Sequence, residues 1–378
     1  MTIYLDNAAT TVQKPVCMKQ TILDVLESER YGNPARGAHS YSIRAYQLIE
    51  MARDTLKNFF HTGDLYEIIF SGSVTIALNA VLKGFIQAGD HVLTTSWEHN
   101  SVLRPLYQLE KLGVSYDIIS SHPITGQLNY EEFTEKLNAK TKVVVCNHAS
   151  NVTGNLLDIE WIKRFCHKHQ LYLILDISQT AGHLPIDLSD GKVAAACFTG
   201  HKALHGPQGT GGICIHKKLK LTPIITGGDG MKSFSKEQPD ELPAMLEAGT
   251  ANVPGIAGLA ASVGWLMSQE TPSLGNYFYQ EATRISELTF YGDFTKEHID
   301  VFSLNIRSAE SALISDILWE EFGIATRSGY HCSPLIHQDL GTKNTGTVRV
   351  SLSRFTTEEE IEKNHKGVEN NCKTIESR

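Results

Sequence analysis

A chain of 378 residues with 41% hydrophobic content is long enough to bury a large core, and its length predicts two domains rather than one. A net charge of −8 without any long basic run argues against nucleic acid as the main partner, and no apolar stretch approaches the roughly 20 residues that cross a bilayer. The cysteines at 17, 146, 166, 197, 214, 332 and 372 form no CxxC pair and no obvious framework, no metal site is expected, and MTIYLDNAATT carries no signal region, so the expectation is a reduced, cytoplasmic protein.

YLDNAATT opens the chain, and Pro15 begins a helical stretch. Tyr31 to His39 is rich in turn formers and carries Arg36 and His39. From Ser40 to Phe60 apolar residues fall at 45, 48, 52, 56 and 59, the spacing of an amphipathic helix. Glu67–Phe70 is a short strand, after which Ser71-Gly72-Ser73-Val74-Thr75 leads into the helical IALNAVLKGF. A small-residue loop that opens a helix leaves backbone N–H groups free for an anion. The strand HVLTT (91–95) precedes Trp97-Glu98-His99-Asn100-Ser101, and Ser115–Ile119 is a further strand. Lys142–Asn147 is another, followed by His148-Ala149-Ser150-Asn151-Val152-Thr153-Gly154, and Asp158 to Gln170 reads as a helix.

LYLILD (171–176) is a continuous apolar run ending in an acid, the pattern of a buried parallel strand with Asp176 at its carboxyl end. A second run, AAACF, stops at Thr199-Gly200-His201-Lys202, and GGICI follows a glycine-rich turn that is no Walker loop. Seven strand candidates between Glu67 and Ile215 alternate with helices, which predicts a mainly parallel sheet covered on both faces. Residues 219–248 are irregular. Helices are expected at 254–269, 274–288 and 308–322, a strand at 301–306, and a capping box Thr357-x-x-Glu360 starts the last helix.

In an open α/β sheet ligands sit at the carboxyl ends of strands, so Asp176 and Lys202 should reach one crevice. An acid and a lysine so placed suit pyridoxal phosphate: the lysine forms a Schiff base, and the carboxylate keeps the pyridine nitrogen protonated. By themselves these two residues are equally compatible with a common strand-end aspartate and a solvated loop lysine. Arg327-Ser328-Gly329-Tyr330-His331-Cys332-Ser333-Pro334 sets a cysteine in a polar loop beside a histidine and near an arginine. Positive charge near a thiol favours the thiolate, the form that attacks sulfur; the other reading is an incidental loop cysteine. Arg349, in the strand-like TVRVS, needs an anion if buried, and a carboxylate is its best match.

Asp176 with Gln179 one turn on, and the Thr-Gly-His-Lys tetrapeptide, resemble the class V aminotransferases, and within them the cysteine desulfurases. N-P-x-R-G-x-H after YLDNAATT, E-H-x-S at 98–101, H-x-S-N-x-x-G at 148–154, E-A-G-T at 247–250 and R-x-G-x-H-C-x-P at 327–334 are similar to that family in order and content, the last closely resembling the type II, selenocysteine lyase-like group. The resemblance implies the type I pyridoxal phosphate-dependent transferase fold: a large α/β domain (15–255) with a mainly parallel seven-stranded sheet, and a smaller α+β domain (1–14 and 256–378). It implies Lys202 as the cofactor lysine and Cα base, Asp176 at the ring nitrogen, Gln179 at the ring hydroxyl, and His99 stacked on the ring. Val74, Thr75, Thr199, His201 and, from a neighbouring subunit, Thr250 would hold the phosphate. Asn151 and Arg349, with Arg327 as second contributor, would hold the substrate carboxylate, and Cys332 would carry the persulfide. The implied enzyme is a homodimer with shared sites that converts L-cysteine to L-alanine and passes sulfur to an acceptor protein or small thiol. Selenocysteine lyase activity, a class V aminotransferase or lyase of another amino acid, and a catalytically silent cofactor-binding scaffold are the alternatives. Three departures stand out: Ile76 where the family usually carries glutamate, Ser333 where relatives often carry alanine, and a shortened segment before E-A-G-T.

Overall fold

The computed structural model describes residues 2–34, 37–228, 230, 233–270 and 273–376. In chain order the first half runs β1 (Ile3–Tyr4), α1 (Val16–Glu27), α2 (Ser40–Phe59), β2 (Tyr66–Ser71), α3 (Val74–Phe85), β3 (His91–Thr95), α4 (Asn100–Glu110), β4 (Ser115–Ile119), α5 (Glu131–Glu135), β5 (Thr141–Asn147), α6 (Ile159–His169), β6 (Tyr172–Asp176), β7 (Ala195–Thr199) and β8 (Gly211–His216). The remainder is α7 (Val253–Met267), α8 (Gly275–Ala282), β9 (Leu288–Tyr291), β10 (Val301–Ile306), α9 (Ser311–Phe322), β11 (Ile324–Ala325), α10 (Pro334–Asp339), β12 (Val348–Ser351) and α11 (Glu358–Glu376).

Seven strands form one sheet in the order β2-β8-β7-β6-β5-β3-β4. β8 runs antiparallel to both of its neighbours, and the other pairs are parallel. Their unbroken apolar runs follow from burial on both faces. Alternate residues diverge: Val144, Leu173, Leu175 and Phe198 pack with Leu56, Ile162 and Leu259 from α2, α6 and α7. Val143, Val145, Ile174 and Cys197 pack with Ala77, Val81 and Leu106 from α3 and α4. Cys146, Cys197 and Cys214 are buried in these cores, small hydrophobes as their strand contexts predict.

A second, antiparallel sheet, β12-β10-β9, gathers with α8, α9 and α11 around Phe302, Leu304, Ile314 and Val350. The N-terminal arm joins this core through Ile3 and Leu5, and β1 pairs in parallel with β11. α7 packs on α1 and α2. One expectation fails here. The helix anticipated over 274–288 ends at Ala282, and Leu288 starts β9, whose part-exposed LTFY lacks a clear alternation. The predicted capping box is present, with the Thr357 N–H donating to Glu360 and the Glu360 N–H to Thr357 Oγ1. No helix among the described residues is long and apolar enough to cross a membrane.

Candidate active site

The carboxyl ends of β3, β5, β6 and β7 open onto one cavity of about 220 Å³, closed from above by the N-terminal arm and the C-terminal unit. Val74, Thr75, His99, Asn151, Asp176, Gln179, Thr199, His201, Lys202, Arg327 and Arg349 all line it. Cys332 and Thr250 do not; both side chains are exposed, Cys332 on a loop whose neighbour His331 does line the cavity. Arg36 of the N-P-x-R-G-x-H motif lies outside the described residues, and His39 caps α2 by accepting from the Ser42 N–H.

Local geometry sets the lysine. The turn after β6 packs directly on the Lys202 loop: Gly182 has φ +93, and a Cβ there would collide with the Ala203 carbonyl. From the other side Lys14 donates to the carbonyls of His201 (3.1 Å) and Gly206 (2.8 Å), and the Thr11 N–H to the His201 carbonyl (3.0 Å). Burial lowers the Lys202 amine to about 8; Asp176 opposes that shift, while Arg349 and Arg327 add to it. Asp176 is buried, which raises its carboxyl, and its Oδ1 accepts the Ser178 N–H at 2.9 Å.

His99 is held neutral, at about 4, first by burial and then by Lys202 and the arginines. A backbone N–H can only donate, so Nδ1, which takes the Ser101 N–H at 3.1 Å, is an acceptor and the ring proton sits on Nε2. Ser101 Oγ lies 2.9 Å from the same Nδ1 and 2.8 Å from Thr75 Oγ1, joining the ring to the start of α3. Beneath it Glu98 is fully buried and accepts from Thr95 Oγ1 (2.7 Å) and the Asn147 N–H (3.1 Å); burial pushes its carboxyl up to about 8.

On the opposite wall Arg349 is buried and donates from Nη2 to Asp6 Oδ1 at 2.8 Å and from Nη1 to the Asn151 carbonyl at 3.2 Å. These contacts use two of the guanidinium's five N–H groups, and the buried Nε has no partner among the described residues. Asn151 is itself engaged with the Cys332 loop, its Nδ2 donating to the His331 carbonyl at 2.8 Å. His331 corrects an expectation. Its ring is buried, its Nε2 donates to the Thr347 carbonyl at 3.1 Å, and burial holds it neutral, so positive charge near Cys332 comes from Arg349 and not from the adjacent histidine. Sequence reasoning assigned no role to Asp6, Ser101 or Ser178, although Asp6 lies within YLDNAATT and Ser101 ends the E-H-x-S motif.

The donor set fits pyridoxal phosphate. Thr199 Oγ1 and His201 Nδ1 are buried with no partner among the described residues. The first N–H groups of α3, at Val74 and Thr75, open toward the same space, as a helix start does for a phosphate. Three cations, Lys202, Arg327 and Arg349, line the cavity against one carboxylate, Asp176, an excess suited to a phosphate dianion and a carboxylate.

The class-V aminotransferase family model matches residues 3–363. A protein of Methanothermobacter thermautotrophicus named as a probable cysteine desulfurase is 28% identical over 373 residues, which is 95% of this chain and 92% of that one. A probable cysteine desulfurase of Staphylococcus aureus is 30% identical over 379 residues, 95% of this chain and 89% of the relative. Among solved structures, the apo cysteine desulfurase of Thermococcus onnurineus superposes with a TM-score of 0.88 at 27% identity, covering 99% of this chain and 95% of that one.

Proposed function

We propose that this chain, which belongs to the class-V aminotransferase family, is a pyridoxal phosphate-dependent cysteine desulfurase of the type I fold, releasing L-alanine from L-cysteine and leaving sulfur as a persulfide on Cys332. The convergence of Lys202, Asp176, His99 and Arg349 on one cavity supports this most directly. Relatives named as cysteine desulfurases favour cysteine over selenocysteine as substrate.

The bound cofactor supplies the electron sink that labilises first the Cα–H and then the C–S bond. Lys202 anchors it and, once free, takes the Cα proton on Nζ; an amine near 8 is a competent base at neutral pH. Asp176 would hold the proton at the ring nitrogen, Gln179 would meet the ring hydroxyl, and His99 would cover the ring, its Nε2 proton available for exchange. Thr75, Thr199, His201 and the Val74 N–H bind the phosphate, joined by Thr250 of a second subunit. Arg349, Arg327 and Asn151 grip the substrate carboxylate. Cys332 thiolate attacks the substrate sulfur: an S–S bond forms as the C–S bond breaks, the electron pair stays on carbon, and protonation there yields alanine. An acceptor protein or small thiol then takes the sulfur. A homodimer with shared sites is supported by the exposure of Thr250 and by exposed Val16, Leu23 and Leu26 on α1 and Tyr41, Tyr46 and Met51 on α2.

Purified protein with L-cysteine and a reductant tests this, with alanine and sulfide measured for wild type and Cys332→Ala. Wild type should form both and the variant should lose sulfide. No sulfide from cofactor-loaded wild type would overturn the reading.

A further inference from the structure

Cys332 is fastened by the residues on either side of it. Asn151 Nδ2 donates to the His331 carbonyl at 2.8 Å, and Asn151 Oδ1 accepts from Ser333 Oγ at 2.7 Å. The His331 carbonyl can only accept, so the amide has one orientation and the serine hydroxyl must be the donor. Ser333 is wholly buried and Asn151 nearly so, which strengthens both bonds. A third tie comes from the Asn100 N–H, beside His99, to the Cys332 carbonyl at 2.7 Å.

These ties hold an unfavourable backbone. His331 and Cys332 have φ of +50 and +60, consecutive left-handed residues that both carry side chains. Such a backbone is disfavoured for residues with side chains and persists only where its surroundings impose it. The loop's conformation therefore depends on what the Asn151 amide is doing, and the Asn151 carbonyl in turn takes Nη1 of Arg349.

We propose that Ser333 is a positioning residue that, through Asn151, couples occupancy of the substrate-carboxylate site to the conformation of the Cys332 loop. The inference rests on the proposed assignment of Asn151 and Arg349 to that carboxylate. A carboxylate that takes Nδ2 together with Arg349 draws the amide away from its loop partners. The loop then relaxes from its strained backbone, and the exposed thiol gains the freedom to turn toward the cavity when a substrate is there to be attacked.

Site-resolved alkylation of the cofactor-loaded enzyme with iodoacetamide, read by peptide mass spectrometry, tests the coupling without turnover. Ser333→Ala should speed Cys332 alkylation about fivefold, the weight of one buried hydrogen bond. L-alanine, which offers the carboxylate but no sulfur, should speed wild type by more than it speeds Ser333→Ala, in which only the Asn151–His331 tie is left to break. Exposed Cys17 is the internal rate reference, and Cys146, Cys197 and Cys214, all buried, stay unlabelled while the fold is intact. If Ser333→Ala exposes those three, Asn151→Asp replaces it, since a carboxylate cannot donate to the His331 carbonyl and should give the same acceleration. Equal Cys332 rates in wild type and the intact variant would overturn the tie. A faster variant with a wild type indifferent to L-alanine would overturn the coupling. Absence of sulfide from L-cysteine is a separate failure that leaves the alkylation comparison standing.

Discussion

At the scale of single residues, the role proposed for Lys202 makes its amine the group that decides how readily the protein takes up pyridoxal phosphate. Only a neutral amine attacks an aldehyde, and burial brings this one from 10.5 down to about 8. Uptake of pyridoxal phosphate by cofactor-free protein should therefore climb about tenfold per pH unit up to about 8 and level off above it. Stopped-flow absorbance near 400 nm measures the profile; a rise continuing past pH 9 would mean that the amine is not held in a desolvated pocket. Lys202 and Asp176 are legible in the sequence because each closes an apolar run and parallel strands bring their carboxyl ends together. Asp6 is not legible, since its partner Arg349 lies 343 positions away and the contact forms only when the N-terminal arm crosses to the small unit. The neutrality of His331 is hidden for a related reason: the sequence puts it next to Cys332, but burial against Thr347 decides its charge.

At the scale of elements, the irregular connection between β8 and α7 is tied down by one buried ion pair. Arg53 on α2, only 2% exposed, donates from Nη1 and Nη2 to Glu247 Oε1 and Oε2 at 2.9 and 3.1 Å. Glu247 Oε1 also accepts the Phe70 N–H at 2.7 Å, so the E-A-G-T motif is anchored to both α2 and β2. Removing one partner of a buried pair costs about 3–5 kcal/mol. The Glu247 side chain is 20% exposed and Arg53 keeps Glu50 and the Ile68 carbonyl, so Glu247→Ala should cost about 2–3 kcal/mol. Urea denaturation of the variant reads this directly; an unchanged midpoint would mean that desolvation cancels the attraction. The sequence shows this glutamate only as part of a motif, because a clamp between α2 and a segment 194 positions on has no local signature. The strands of the main sheet are legible by contrast, since burial on both faces leaves runs such as VVVCN and LYLILD with no polar residue to break them. Half-exposed β9 lacks that signal and reads as the tail of a helix.

At the scale of the whole molecule, buried ionisable groups set where on the pH axis the fold is most stable. His205 and His337 are held at about 4, and His331 well below its usual 6.5, all by burial first. A histidine depressed in the folded state stays neutral while the unfolded chain takes up a proton. Its contribution is complete above about 6.5 and is lost as the pH falls toward 4. Glu98 has the opposite sign: pushed up to about 8 by burial, it contributes fully below its unfolded value near 4.5 and loses that contribution as the pH rises toward 8. Each group gives a slope of about 1.4 kcal/mol per pH unit within its window. His148 and His183 are depressed to about 4 in the same way, so between about 4.5 and 6.5 these histidines outnumber the one raised carboxyl and stability should rise with pH. Above 6.5 only Glu98 of this set still titrates, and the slope reverses, placing the optimum near pH 6.5. Urea midpoints of the cofactor-loaded protein from pH 4.5 to 8 measure the curve. Glu98→Gln, which stays neutral in both states, should abolish the decline above 6.5 and steepen the rise below it. A variant curve falling from 6.5 to 8 as steeply as wild type would show that a group other than Glu98 causes the decline.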